Sequence, residues 1–174
     1  YATLMLGAAR AAVKEGLSLI LVPDLGGTAG APEVAEGVIV ADPTRRDPAL
    51  KEIREAGTPV VTIGSDPSLA DDPWAVIADN EGNCRMILDR LRETGAKRIA
   101  LISCDAPWGW FIRNQEAYRE WIGTAGFEPV LVSVGTSDRS GARAALADLL
   151  AGEEPPDAVL SLTEDSALGR HPEK

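Results

Sequence analysis

Soft metal ligands and thiols are scarce in this chain. Among its 174 residues histidine occurs once, at His171, and cysteine twice, at Cys84 and Cys104. A zinc site therefore has almost no ligand supply, because zinc is held mainly by Cys and His. Two thiols make no disulfide framework. Cys84 falls on a helical pattern and Cys104 just after a strand, and both read as reduced core or near-core thiols of a cytoplasmic protein. Long apolar runs are missing too: none approaches the ~20 residues that span a bilayer. The first residues show no charged start, apolar stretch and small-residue cleavage site, so no signal peptide is visible in them. Positive charge is outnumbered, with 17 Lys and Arg against 27 Asp and Glu and a formal net charge of −10. A surface that acidic repels phosphate backbones and anionic lipid, so the chain alone is a poor partner for DNA or a membrane.

Catalytic signatures are absent as well. There is no Gly-x-Ser-x-Gly elbow, and His171 is the sole candidate for a triad base. The run Gly26-Gly27-Thr28-Ala29-Gly30 follows a strand pattern, but its spacing matches neither a dinucleotide fingerprint nor a P-loop. With Pro32 nearby, it reads as a turn-rich connection. Asp71-Asp72 and Glu153-Glu154 stand in loop-like stretches, where solvated charge is the simpler reading than acid–base work. The sequence makes no positive case for an enzyme, a metal or a cofactor.

What is present is a repeated beat. Helical patterns end in Gly16, Gly57, Gly95, Gly126 and Gly152, and apolar strand patterns follow at 17–22, 59–63, 98–102, 129–134 and 158–162. Glycine at such positions closes a helix in the left-handed conformation at little steric cost. A shorter version, 33–37, precedes the strand 38–41. The helices carry the 3.6-residue period: Cys84, Ile87, Leu88 and Leu91 share a face, as do Tyr118, Trp121, Ile122 and Ala125, and Ala142, Ala145, Leu146 and Leu149. Asp47-Pro48 reads as an N-cap followed by proline at the first helical position. The strands are near-continuous apolar runs, the pattern of strands covered on both faces. The fold class is therefore α/β, with doubly wound parallel sheets. The segment 76–103, strand then helix then strand, contains one complete unit of it.

In such sheets ligands bind beyond the carboxyl ends of the strands. Those ends are rich in short polar residues, among them Asp42, Gly64-Ser65-Asp66, Ser103-Cys104-Asp105 and Thr163-Glu164-Asp165. Taken singly, each is more simply a cap or turn former. Trp108-Gly109-Trp110-Phe111 is different, because three large aromatics in a loop after a strand are costly to leave in water. They either pack under the loop or line a pocket that stacks on a planar or sugar-like ligand, and both readings stay open.

The ordered set Asp79-Asn80, Arg85, Leu91, Gly95 and Arg98-Ile99-Ala100-Leu101-Ile102 resembles the effector-binding domain of the lac/gal repressor family of bacterial transcription regulators. The family's Leu-Gly-His step is Thr94-Gly95-Ala96 here. Tyr118-Arg119 through Ala125-Gly126-Phe127-Glu128-Pro129 resembles the family's Gly-Tyr helix and its exit. Asp165-Ser166-Ala167-Leu168-Gly169 is similar to its Asn-Asp-x-x-Ala-x-Gly segment. The resemblance reaches Gly169.

It implies a two-lobed fold of the periplasmic-binding-protein type I, incomplete at both ends, with ligand between the lobes. The expected N-terminal lobe is 1–78 without its first strand, and the expected C-terminal lobe is 79–169. Residues 170–174 form an unassigned tail, and Asp79-Asn80 is the expected hinge. The implied function is effector sensing in a dimeric, cytoplasmic transcription regulator that binds operator DNA through a headpiece outside this chain. The alternative is a secreted sugar- or solute-binding protein of a transport system. Carried over position by position, the ligand-binding expectations are Tyr1, Ser65, Asp66, Arg113, Asn114, Thr163 and Glu164, and the aromatic cluster adds Trp108 and Trp110. Gly64 stands where many members have a ligand-binding aspartate, so that contact either passes to Ser65 or Asp66 or is lost. Asn114 stands where sugar-binding members have arginine, and Arg113 precedes it. These departures widen the expected effector from a sugar to an aromatic or otherwise atypical small molecule.

Overall fold

A computed structural model describes residues 2–22, 35–69, 72–135 and 138–168. The elements run α1 (Ala2–Lys14), β1 (Val38–Ala41), α2 (Pro48–Glu55), β2 (Val60–Ile63), β3 (Ala75–Val76), α3 (Asn80–Glu93), β4 (Ile99–Cys104), α4 (Gly109–Thr124), β5 (Val130–Val134), α5 (Arg139–Ala151), β6 (Ala158–Ser161) and α6 (Glu164–Leu168). They form two parallel three-stranded sheets, ordered β1-β2-β3 and β5-β4-β6. In the first, Val38 to Ala41 register with Val60 to Ile63, and Thr62 and Ile63 with Ala75 and Val76. In the second, β4 is central, with Ala100 opposite Val130 on one side and Val159 on the other.

The local reasons are those the sequence offers. Asp47 caps α2 by accepting from the Leu50 amide, with Pro48 opening the helix. Asp79 and Asp138 cap α3 and α5 in the same way, each accepting from the amide of a glycine three residues on, Gly82 and Gly141. Gly16, Gly57, Gly95 and Gly126 close their helices at positive φ. Gly152 does not: α5 exits through it in extended conformation (φ −65°, ψ 165°), three residues ahead of the Pro155-Pro156 pair that keeps the following chain extended.

The second sheet holds most of the core. Cys84 and Leu88 from α3 and Ala117, Tyr118 and Ile122 from α4 pack on Ile99, Leu101 and Leu160. Ala142 of α5 meets Ile102 and Val134. The buried Tyr118 hydroxyl donates to the Ile99 carbonyl (2.8 Å) and accepts from the Val130 amide (2.9 Å), stitching the starts of β4 and β5. Asp157 receives the amides of Lys97 and Arg98 (2.8 and 3.0 Å) and ties β6 to β4 at the same end. The first sheet has a smaller core, Val40 with Leu50 and Ile53 of α2. Both cysteines are free and buried.

Three further expectations change. Residues 17–22 form no strand: they pair with neither sheet, and Ile20 and Leu21 stay exposed at 63% and 66%. A strand requires a hydrogen-bonding neighbour, and β1 pairs only with β2. Of the short helical pattern 33–37, residues 33 and 34 lie outside the described residues, and 35–37 are irregular. The aromatic cluster is not a loop. Trp108 is the N-cap residue of α4, and Trp110 and Phe111 stand in its first turn, because burying Phe111 completely requires the helix to begin there.

Candidate functional site

The carboxyl ends of β1 and β2 meet the start of α4, and this junction gathers several of the residues expected from sequence. After β1, the Asp42 amide extends the ladder by donating to Ile63 O (2.7 Å). The chain then turns through Asp42 at φ 49°, and after β2 through Gly64 at φ 86°. Thr44 forms an antiparallel bridge with Trp108, and the Arg45 amide donates to Pro107 O (3.1 Å). One residue on, Gly109 lies so close to Ser65 that an added Cβ would clash with the Ser65 carbonyl oxygen. The two sheets thus touch through backbone, and glycine at 109 permits the approach.

Arg113 ties the junction together. Its Nε donates to Ser65 Oγ (3.3 Å), and its Nη1 pairs with Glu81 (3.2 Å) in the first turn of α3. Glu81 also lies 3.7 Å from Arg85, which binds Glu120 at 2.7 Å. One guanidinium thereby links the β2 exit, the start of α3 and α4. Ser65 is buried, as is its neighbour Asp66.

Asp66 is committed elsewhere. Its Oδ1 accepts from the Arg46 amide (3.1 Å), the Ser68 amide (2.8 Å) and the Ser68 hydroxyl (2.6 Å). Burial alone would raise its pKa, but the Ser68 hydroxyl and the surrounding amides outweigh that and hold the carboxyl below its ordinary value. Asp42 is its opposite. Half-buried, its carboxyl has no hydrogen-bond or ion-pair partner among the described residues, and burial pushes its pKa up.

The aromatic cluster divides. Phe111 is fully buried, with Trp110 stacked at 3.7 Å between centroids and Trp108 at 5.7 Å. Phe111 belongs to packing, while both tryptophans stay half-buried beside it. Asn114, also buried, donates to Trp110 O (2.8 Å) within its own helix. Thr163 stands past β6, where its Oγ1 accepts from the Ser166 amide (3.1 Å) as a cap for α6, and Glu164 is exposed in that short helix. Neither shares a hydrogen bond or ion pair with Ser65, Asp66, Arg113 or Asn114. Asp79 caps α3 and Asn80 opens it. Tyr1 lies outside the described residues. Gln115 was not anticipated: its Nε2 donates to Ser103 Oγ (2.8 Å) and Cys104 O (3.3 Å), closing the carboxyl end of β4. Its position one helical turn after Phe111 was the available signal. No group of three or more His, Cys, Asp or Glu among the described residues is placed to hold a metal.

Residues 1–172 match the family model described as periplasmic binding proteins and sugar-binding domain of the LacI family. The chain is 30% identical over 175 residues to the HTH-type transcriptional regulator CelR of Thermobifida fusca, covering 94% of this chain and 51% of that protein. Among solved structures, a CelR–cellobiose complex matches with a TM-score of 0.77 and 27% identity over 97% of this chain and 55% of that one. A putative transcriptional regulator from Yersinia pestis matches with a TM-score of 0.78 and 26% identity over 90% of this chain and 59% of that one. The chain spans about half the length of the curated relative it matches.

Proposed function

We propose a function from one premise: the chain belongs to the family of periplasmic binding proteins and sugar-binding domains of LacI-type regulators. It serves as the effector-sensing part of a bacterial transcription regulator, with a saccharide as effector. The observation that carries this is the similarity along 94% of the chain to a regulator, together with the fold match to that regulator in complex with cellobiose. The ligand lies between an N-terminal lobe, 1–78, and a C-terminal lobe, 79–169, with Asp79-Asn80 as hinge. Ser65, Trp108, Trp110 and Arg113 stand at the junction where the lobes touch. Ligand bound there has different contacts in open and closed arrangements, and that difference in affinity shifts the equilibrium between them. In a cytoplasmic homodimer the shift reaches operator DNA through headpieces outside this chain, as a coupling free energy between two sites.

The saccharide reading has a physical basis in the half-buried tryptophans and the polar groups around them, since sugars present apolar ring faces and hydroxyl edges together. Transport is the weaker reading, because the similar proteins above 25% identity are regulators. Calorimetric titration of the full-length protein with cellobiose, joined to selection of its DNA site with and without the sugar, tests the proposal. Saturable binding and a sugar-dependent change in DNA affinity are expected. Sugar binding with no DNA affinity at all would instead establish the transport reading.

A further inference from the structure

Three carboxylates stand at the first sheet's carboxyl edge, Asp42, Asp47 and Asp66, and two have employment within the fold. Asp47 caps α2 and binds Thr44. Asp66 gathers the amides of Arg46 and Ser68. Asp42 has no such partner among the described residues, although it is half-buried and its backbone holds the left-handed conformation (φ 49°). A non-glycine residue in that region carries a local conformational cost, and aspartate is tolerated there mainly when its side chain bonds nearby. Here it does not. Its Oδ1 lies instead 3.0 Å from the point where a Cβ on Gly64 would stand, so the missing side chain at 64 is what admits the carboxylate to the junction. The cation that ties the junction together, Arg113, is engaged by Ser65 and Glu81.

A strained, partly desolvated and unpaired acceptor at the end of a parallel strand has no structural return that offsets its cost. We propose that Asp42 is a ligand-recognition residue, whose carboxylate accepts hydrogen bonds from saccharide hydroxyls at the lobe junction. It therefore selects ligands by hydroxyl pattern from the N-terminal side, while the tryptophans supply the apolar face from α4. This rests on the saccharide reading above.

The test uses the full-length protein, with cellobiose and glucose as probes, and the variants Asp42→Asn and Asp42→Gly. Losing a charge-assisted hydrogen bond is expected to weaken cellobiose binding by about 10-fold or more. In the absence of sugar, Asp42→Asn is expected to melt no lower than the parent, and Asp42→Gly equal or higher because φ is relieved. Unchanged affinity in a parent that binds cellobiose removes Asp42 from the site. A fall in melting temperature for both variants makes it a structural residue and overturns the proposal on its own. If the parent binds neither sugar, the saccharide reading has failed, and the melting temperatures alone decide whether Asp42 is structurally idle.

Discussion

Both β2 and β4 are the central strand of a parallel three-stranded sheet, yet every residue of β4 is buried while β2 buries only Thr62. The difference lies in cover. Helices α3 and α4 pack on one cluster around β4 and α5 on another. Around β2 the cluster consists of Val40, Leu50 and Ile53, and α1 contributes no buried residue. Ile39 on β1 stays 50% exposed. Strand-and-helix alternation is therefore the same in both units, while the apolar area removed from water, which supplies most of the stability, is not. The site draws on both: α4 is anchored in the well-covered unit, and Asp42, Gly64 and Ser65 belong to the thinly covered one.

Matched truncations test this contrast most severely. Leu88 is fully buried in the larger core and Leu50 nearly so in the smaller. Leu88→Ala is expected to cost about 3–5 kcal/mol, and Leu50→Ala nearer ~2–3 kcal/mol, because the smaller cluster can collapse around the void. Equal losses in denaturant unfolding would mean that the two units are equally well packed. Next in size is the contact between them. Gly109→Ala places a methyl group on the Ser65 carbonyl oxygen, so the junction must part. A loss of ~1–3 kcal/mol is expected, with altered effector affinity. Unchanged affinity would show that the junction is not where ligand is sensed.

How far the sequence foretold all this depends on which physical signal was local. Helix caps and closing glycines were legible at Asp47, Gly57 and Gly95, because each depends on one residue's own conformational preference. Strands 38–41, 59–63 and 98–102 were legible from continuous apolar runs. Residues 17–22 have the same composition and form no strand, since pairing is a property of the neighbour and not of the run. At the site, Ser65 and Arg113 were expected and meet. Asp66 binds the amides of Arg46 and Ser68, and composition cannot tell which aspartate finds amides to bind. Trp108 and Trp110 were expected in a loop and stand at a helix start, beside the fully buried Phe111.

Thr62 sharpens the comparison at smaller scale. It is the one fully buried side chain of β2, and its Oγ1 has no hydrogen-bond partner among the described residues. A buried hydroxyl without a partner carries a desolvation cost of ~1–3 kcal/mol. Thr62→Val keeps the branched shape and removes the oxygen, so thermal or chemical unfolding is expected to show a gain of about 1 kcal/mol. The reverse, Leu101→Thr in β4, is expected to lose more than that. A loss in Thr62→Val would mean that the hydroxyl serves a bond formed only in another lobe arrangement.

The smallest effect is in the pH profile, where the two aspartates of the thin unit act in opposite directions. Asp66 has its carboxyl held below the ordinary value of ~3.9, by bonds to Ser68 and Arg46 that exceed the burial penalty. Its contribution is present above the ordinary value and disappears as pH falls through the lowered one. Asp42 is raised by burial, so the folded state prefers it protonated. Its contribution is greatest at low pH, and ionisation removes it as pH rises from the ordinary value through the raised one. Asp66→Asn is therefore expected to flatten the acid limb of the stability curve below pH ~4. Asp42→Asn is expected to remove the opposing slope just above that pH and leave the protein slightly more stable at neutrality. Unfolding curves recorded from pH 3 to 7 separate the two, and parallel slopes in both variants would mean that the carboxylates share one network instead of dividing structural and ligand-binding roles.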